Sequence, residues 1–128
     1  MKNTFKKVER LNKKKYIQEL FQKGSSFYLY PFKVLFMHAP AGDDGNENAH
    51  HQILISVPRR KFKKAVDRNK LKRRTREAYR LNKQFLNTPG KLLIAYIYTA
   101  KDILPYQEIE NKLLLSLKRL AREVKKHK

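Results

Sequence analysis

The 128-residue sequence contains no cysteine and only 11 acidic residues. Without cysteine the chain can form no disulfide, no thiolate nucleophile and no cysteine-based zinc site, which suits a reducing compartment. No segment approaches the ~18 consecutive apolar residues of a membrane-spanning helix, and the basic N-terminus lacks the apolar core of a signal peptide. We therefore expect a cytoplasmic protein with no membrane association.

The charge balance is strongly one-sided. The chain has 31 Lys and Arg residues, and its formal net charge is +20. A charge of this size destabilises the compact state through self-repulsion, and a polyanion relieves that repulsion. The length is typical of one domain with a modest core, so residues 1–128 are expected to form a single RNA-binding domain.

The first half of the chain predicts one helix and three strands. After a basic tail (residues 1–11), an apolar stripe predicts a helix over 13–22 that ends before Gly24. Pro31 divides the following aromatic and β-branched segment into two strands. Residues 39–51 are rich in Gly, Asn, Asp and Pro, which indicates an acidic hairpin loop before a strand over 52–57.

The second half predicts helix, strand and helix. A long helix over about 63–85 has a sparse apolar stripe at Val66, Leu71, Thr75, Ala78, Tyr79, Asn82 and Phe85. The apolar run 91–98 suits a central strand. The last helix buries a seam of Ile109, Leu113, Leu117, Leu120 and Val124, and it frays at 125–128. This order predicts an α+β domain with a mixed sheet of about four strands covered by three helices.

The segment "DRNKLKRRTREAYR" (67–80) has seven Lys or Arg residues in fourteen, and the only acids within it are Asp67 and Glu77. Two acids cannot neutralise seven cations, so this helix face favours a phosphate contact over the alternative of a solvated face with ion pairs. Arginine forks grip phosphate oxygens in pairs, and an asparagine amide can donate to phosphate or a base edge. The predicted RNA contacts are Arg68, Asn69, Lys70, Lys72, Arg73, Arg76 and Arg80.

A second surface is predicted from aromatic residues that lie near basic ones. Single-strand sites combine an electropositive groove with rings on which bases stack. The candidates are Lys13, Tyr16, Phe21, Phe32, Phe36, Arg59, Arg60 and Lys61. For any single ring the alternative is a place in the core, where most aromatic residues lie.

No catalytic or metal-binding residue is predicted. The histidines are His38, His50, His51 and His127, and none has a carboxylate at a spacing that suggests an acid–base pair. Asp43, Asp44 and Glu47 all belong to the Gly-rich loop, where a solvated turn is the commoner explanation.

The segment "AVDRNKLKRRTREAYR" resembles the arginine-asparagine-arginine signature of the bacterial ribonuclease P protein component, with Lys70 at the third signature position. The resemblance extends to the "KG" that ends the first helix, to "ISVPRRKFKKAV" ahead of the signature and to "YQEIENKLLLSL" in the closing helix. It therefore covers most of the chain, in the strand-then-helix context that makes the motif specific.

The resemblance implies a small α/β sandwich with a left-handed strand-helix-strand crossover, against the general preference. It implies a monomeric, non-catalytic subunit that helps a catalytic RNA remove the 5′ leader of precursor tRNA. The signature helix would bind that RNA, and a cleft between the first helix and the sheet would bind the leader. Phe21 and Phe36 match family cleft aromatics best, whereas Ile17 stands where an aromatic is common.

Family resemblance also implies that the protein alone binds no cofactor and that Mg²⁺ is held on the ribozyme RNA. Two alternatives stay open at this stage. A basic ribosomal or other structural RNA-binding protein would explain the charged helix without an aromatic groove. A free-standing nuclease would need an acid and a base that the sequence does not show.

Overall fold

The computed structural model describes residues 9–39, 51–88 and 90–126. Along the chain the elements are α1 (Lys14–Lys23), β1 (Ser25–Leu29), β2 (Phe32–His38), β3 (Gln52–Ser56), α2 (Ala65–Asn82), a short 3-10 helix (Lys83–Phe85), β4 (Leu92–Tyr98) and α3 (Tyr106–Lys126). The predicted α+β class and the order of its elements are confirmed. Most of the predicted tail and of the predicted acidic loop lies outside the described residues.

The four strands form one mixed sheet in the order β1-β2-β4-β3. Antiparallel ladders join β1 to β2 and β2 to β4, whereas β3 runs parallel to β4. The parallel pair requires a crossover, and α2 supplies it. The left hand of that crossover stays a prediction.

One face of the sheet packs against α2 and α3 in the main core. Residues of β2 alternate between the two faces, and Phe32, Val34 and Phe36 belong to this core with Tyr96 and Tyr98 of β4. The hydroxyl of Tyr96 lies 2.7 Å from Ser116 Oγ, so this buried phenol has a hydrogen-bond partner. The predicted α3 seam is confirmed, because Ile109, Leu113, Leu117, Leu120 and Val124 are all buried.

The opposite face carries α1. Leu20 is fully buried there against Leu35, Leu93 and Ala95, and Tyr16 and Ile17 pack at the margin of this second cluster. Because α1 has only ten residues, it spans about 15 Å and covers part of a four-stranded sheet. Among the described helices only α1 packs on this face, and Lys33 and Tyr28 stay exposed there.

Two residues of the predicted α2 stripe are exposed, and a third, Asn82, is only half-buried. The buried residues of α2 are Leu71, Thr75, Ala78 and Tyr79, whereas Val66 and Phe85 are exposed. Val66 precedes Leu71 by five residues, so it points about 140° away around the helix. Phe85 would follow the stripe only if the α-helix continued, but the chain turns into 3-10 geometry at Lys83.

The predicted boundaries of the two ends were also partly wrong. Arg10 forms a parallel bridge with Ile53, and Leu11 N donates to Ile53 O at 2.9 Å, so residues 9–11 dock on the edge of β3. Glu9 is buried and accepts from Lys83 Nζ at 2.7 Å. At the other end, α3 continues to Lys126, past the predicted start of the fray.

None of the helices that the structure describes is long and apolar enough to cross a membrane.

Candidate nucleic-acid interface

The outer side of α2 presents the basic residues that the sequence singled out. Because α2 buries only the narrow stripe of four residues, the rest of its circumference faces outward. Asn69 and Arg73 are exposed, and Lys70, Lys72 and Arg76 are half-buried. Lys72 and Arg76 are four residues apart, so they lie on the same side of the helix. These five predicted contacts share one continuous, cationic surface.

Three other cations of α2 have partners within the protein. Arg68 Nη1 donates to the carbonyl oxygens of Phe62 and Lys63, at 2.9 Å each. Arg74 Nη1 donates to Leu104 O at 2.6 Å. Backbone carbonyls therefore bind the guanidinium groups of Arg68 and Arg74. A count of the acidic side chains alone would leave both groups without a partner.

Arg80 forms a two-point ion pair with Glu77. Its Nε and Nη2 donate to the two carboxylate oxygens at 2.6 and 2.8 Å. The hydrogen bond from Arg80 lowers the pKa of the Glu77 carboxyl. An RNA contact by Arg68 or Arg80 stays a prediction, and it would compete with these internal bonds.

A groove lies where α2 meets the edge of β3 and the docked N-terminal segment. Its volume is about 370 Å³, and its lining consists of Arg10, Leu11, Asn12, Ile53, Leu54, Ile55, Lys72 and Arg76. Burial, followed by the charges of Arg10 and Arg73, lowers the pKa of Arg76. The groove thus concentrates positive charge, and a phosphate would relieve the repulsion between its cations.

Sequence reasoning missed Arg10 and Asn12 as lining residues. In the sequence, Arg10 lies in the predicted N-terminal tail, and Asn12 lies between that tail and the predicted first helix. Only the parallel bridge to Ile53 places them opposite α2. A basic residue next to an apolar one, as in Arg10-Leu11, was the only available signal, and it is too common to be specific.

Arg73→Ala should reduce the salt dependence of RNA binding. If the exposed Arg73 neutralises one phosphate, the slope of log affinity against log salt should become shallower by about 0.7 to 0.9. Binding isotherms at several salt concentrations measure this slope. Arg68 tests the idea less well because its guanidinium already bonds to backbone carbonyls.

The matched control is Arg122→Ala, which removes the same charge from an exposed position on α3. Its slope should stay at the wild-type value. Equal changes in both variants would show that net charge acts at long range and that α2 makes no local phosphate contact.

The open part of the sheet face beside α1 forms the second candidate surface. Leu54 and Ile97 are only half-buried there, and Lys33 and Tyr28 are exposed. Of the predicted residues on α1, Phe21 is 48 % exposed and Tyr16 is half-buried. Lys13 directly precedes α1, and its Nζ lies 5.1 Å from the centre of the Tyr16 ring. The structure therefore offers ring faces and cations around an apolar floor.

Two predicted cleft residues lie on the wrong face of the sheet. Phe32 has no exposed surface, Phe36 is 5 % exposed, and both pack in the core beneath α2 and α3. The Phe32 ring meets Tyr96 edge-on at a centroid distance of 5.3 Å. Alternation along β2 correctly grouped these residues on one face, but both faces of this sheet carry helices. The pattern alone could not identify the face that α1 covers.

The predicted basic loop lies at one end of the open face. Arg59, Arg60 and Lys61 are exposed in the turn after β3. The next residue, Phe62, is buried, with its ring 5.8 Å from that of Tyr98. Lys61 Nζ donates to the backbone carbonyl of Thr99, directly after β4. The loop is thereby held beside the end of the sheet.

The described residues contain no group of three or more His, Asp and Glu side chains placed to hold a metal ion. His51 Nδ1 accepts from Leu92 N at 3.0 Å, so this nitrogen is committed to the backbone. His38 is exposed at the end of β2. The remaining candidates His50, His127, Asp43, Asp44 and Glu47 lie outside the described residues.

Comparison with known sequences points to one family. The Ribonuclease P family model matches residues 5–124. The ribonuclease P protein component of Porphyromonas gingivalis is 34 % identical over 125 residues, which cover 92 % of this chain and 87 % of the relative. The corresponding protein of Petrotoga mobilis is 38 % identical over 82 residues, with 64 % and 63 % coverage.

Solved structures give the same result. The RNase P protein of Staphylococcus aureus superposes with a TM-score of 0.70 at 29 % identity, covering 88 % of this chain and 94 % of that one. The Thermotoga maritima protein gives 0.68 at 32 % identity, with 87 % and 96 % coverage. Sequence, fold and the basic helix in its strand-then-helix context agree, and the chain belongs to the family of bacterial ribonuclease P protein components, the RNA-binding subunits of a tRNA-processing ribonuclease.

Proposed function

We propose that this chain helps the ribonuclease P RNA remove the 5′ leader from precursor tRNA by binding two RNA segments on two surfaces. The cationic side of α2, with the groove at the β3 edge, would bind the ribozyme RNA. The open sheet face beside α1 would bind the single-stranded leader. The observation that carries this proposal is that two different elements form the two surfaces: α2 presents the cations, whereas the exposed rings and half-buried apolar residues lie on the α1 face of the sheet. The two surfaces meet at Leu54 on the β3 edge.

The two surfaces suit different RNA structures. A cationic helix with a charged groove favours phosphates and carries no base specificity by itself. An apolar floor with exposed rings and a basic rim favours unpaired bases, which can stack and still leave their phosphates near cations. A ribosomal or other structural RNA-binding protein would need the first surface and has no use for the second.

The protein in this proposal contributes no catalytic group. The in-line attack of metal-bound water on the phosphodiester would use Mg²⁺ held on the RNA. The chain's own residues would neutralise phosphates and hold the leader in place. We place this activity in the cytoplasm, with one copy of the protein in each holoenzyme.

The reconstituted holoenzyme should bind precursor tRNA more tightly than mature tRNA. Stacking of even one leader base is worth about 1–3 kcal/mol, so the preference should be at least about fivefold. Competition binding in Ca²⁺, which slows cleavage, measures both affinities with the same enzyme.

The control is a precursor whose leader is shortened to one nucleotide, which should bind like mature tRNA. The ribozyme RNA without protein should discriminate less between the substrates. Equal affinities of the holoenzyme for all three RNAs would contradict a leader site on the protein.

A further inference from the structure

Tyr28 is a conspicuously exposed ring on the α1 face of the sheet. On β1, Phe27 and Leu29 pack toward the main core, so alternation directs Tyr28 to the opposite face. There it lies across from Lys33 of β2, whose own neighbour on β4 is Ile97. Tyr28 is nonetheless 55 % exposed. An exposed ring on the part of the sheet face that α1 does not cover calls for a physical reason.

The hydroxyl of Tyr28 fixes the ring over the sheet. It lies 3.0 Å from Oγ1 of Thr99, the residue directly after β4. In the sheet order β2 separates β1 from β4, so this bond spans two strand spacings, or about 10 Å. The phenol therefore reaches across β2 toward the end of β4, and more than half of its surface stays exposed.

Thr99 is itself held in place. Its Oγ1 donates to Pro31 O at 2.9 Å, and its backbone N–H donates to the same oxygen at 2.7 Å. Its carbonyl oxygen accepts from Lys61 Nζ of the basic loop. One threonine thus ties the Tyr28 ring, the start of β2 and a cation of the loop into one arrangement.

We infer that Tyr28 is the base-stacking platform of the leader site, an inference that rests on the proposed function. A ring whose hydroxyl is already hydrogen-bonded to Thr99 loses less conformational entropy when a base stacks on it than a freely rotating ring would. Lys33 is the cross-strand partner of Tyr28, and Lys61 donates to the carbonyl of Thr99, so two cations lie near the ring and could neutralise phosphates flanking a stacked base. Phe32 and Phe36, whose rings are buried on the other face, cannot serve this purpose.

The test compares three variants in the reconstituted holoenzyme. Tyr28→Leu removes the ring face and should weaken precursor tRNA binding by about 5- to 150-fold, with mature tRNA binding unchanged. Tyr28→Phe keeps the ring face and loses only the bond to Thr99, so its precursor affinity should fall clearly less than that of Tyr28→Leu. Tyr30→Leu is the matched control, because Tyr30 is 49 % exposed in the turn between β1 and β2, outside the ladder that pairs Tyr28 with Lys33.

A spectroscopic readout separates stacking from a general packing effect. Precursors with 2-aminopurine at successive leader positions should show quenched fluorescence at one position with wild-type protein. That quenching should disappear with Tyr28→Leu and persist with Tyr28→Phe and Tyr30→Leu.

Several outcomes would overturn the inference. Precursor affinity of Tyr28→Leu within twofold of wild type would do so, as would equal losses for precursor and mature tRNA. A loss in Tyr28→Phe as large as in Tyr28→Leu would assign the effect to the hydroxyl and its bond to Thr99. If the wild-type holoenzyme prefers precursor over mature tRNA and the Tyr28→Leu holoenzyme shows the same preference, only this inference is wrong. If the wild-type holoenzyme binds precursor and mature tRNA equally, the proposed leader site is wrong as well.

Discussion

Purified protein incubated with precursor tRNA and Mg²⁺, without ribonuclease P RNA, is expected to bind the substrate and leave the 5′ leader attached. Proton transfer by a side chain needs an acid or base within reach of its partner, and the sequence predicts no such pair around its histidines. His51 Nδ1 is bonded to the backbone of Leu92, and Glu9 is buried in an ion pair with Lys83. Among the described residues, no three or more His, Asp and Glu side chains are grouped to hold a metal ion.

The measurement is a cleavage assay with 5′-labelled precursor tRNA. Protein alone should give no mature 5′ end, whereas the same preparation mixed with ribonuclease P RNA should cleave at physiological Mg²⁺. This difference should be all or none, which makes it the largest effect on activity that we expect. Accurate cleavage by protein alone, abolished by His38→Ala, would contradict the assignment of the chemistry to the RNA.

The local patterns of this sequence predict its elements well. Pro31 separates β1 from β2 as expected, and the five α3 seam residues are all buried. These successes depend on short-range rules, since side-chain periodicity and proline act within one element. The basic helix was equally visible, because seven cations in fourteen residues need no tertiary information to be recognised.

The errors come from contacts between elements. Neither alternation along β2 nor the aromatic character of Phe32 and Phe36 indicates on which face α1 packs. Arg68 reads as a free cation until the carbonyl oxygens of Phe62 and Lys63 are placed beside it. The docking of Arg10 on β3 depends on a bridge between residues more than forty positions apart. Such contacts are set by the packing of the whole domain.

Phe32→Ala is expected to cause the largest loss of stability among the variants considered. Phe32 is completely buried, and its ring packs edge-on against Tyr96 and Tyr98 at centroid distances of 5.3 and 6.1 Å. Phe→Ala changes at such sites cost about 3–5 kcal/mol, through lost burial and the cavity that remains. A domain of this size has about 5–15 kcal/mol in total, so a large fraction of the stability would be lost.

Phe21→Leu is the matched comparison, because Phe21 is a phenylalanine on the α1 side that is 48 % exposed. It should leave the free energy of unfolding within about 0.5 kcal/mol of wild type, as most surface changes do. If its ring contacts the leader, precursor tRNA affinity should fall while mature tRNA affinity stays the same.

Urea unfolding of the free proteins and binding of both tRNAs by the holoenzymes distinguish the two positions. Phe32→Ala should shift the urea midpoint strongly and weaken precursor and mature tRNA together, because fewer molecules are folded and competent to bind. If Phe32→Ala lost precursor affinity alone and its urea midpoint were unchanged, Phe32 would belong to the leader cleft, as the sequence predicted. That result would require Phe32 to leave the core beneath α2 and α3, where its contacts with Tyr96 and Tyr98 now hold it.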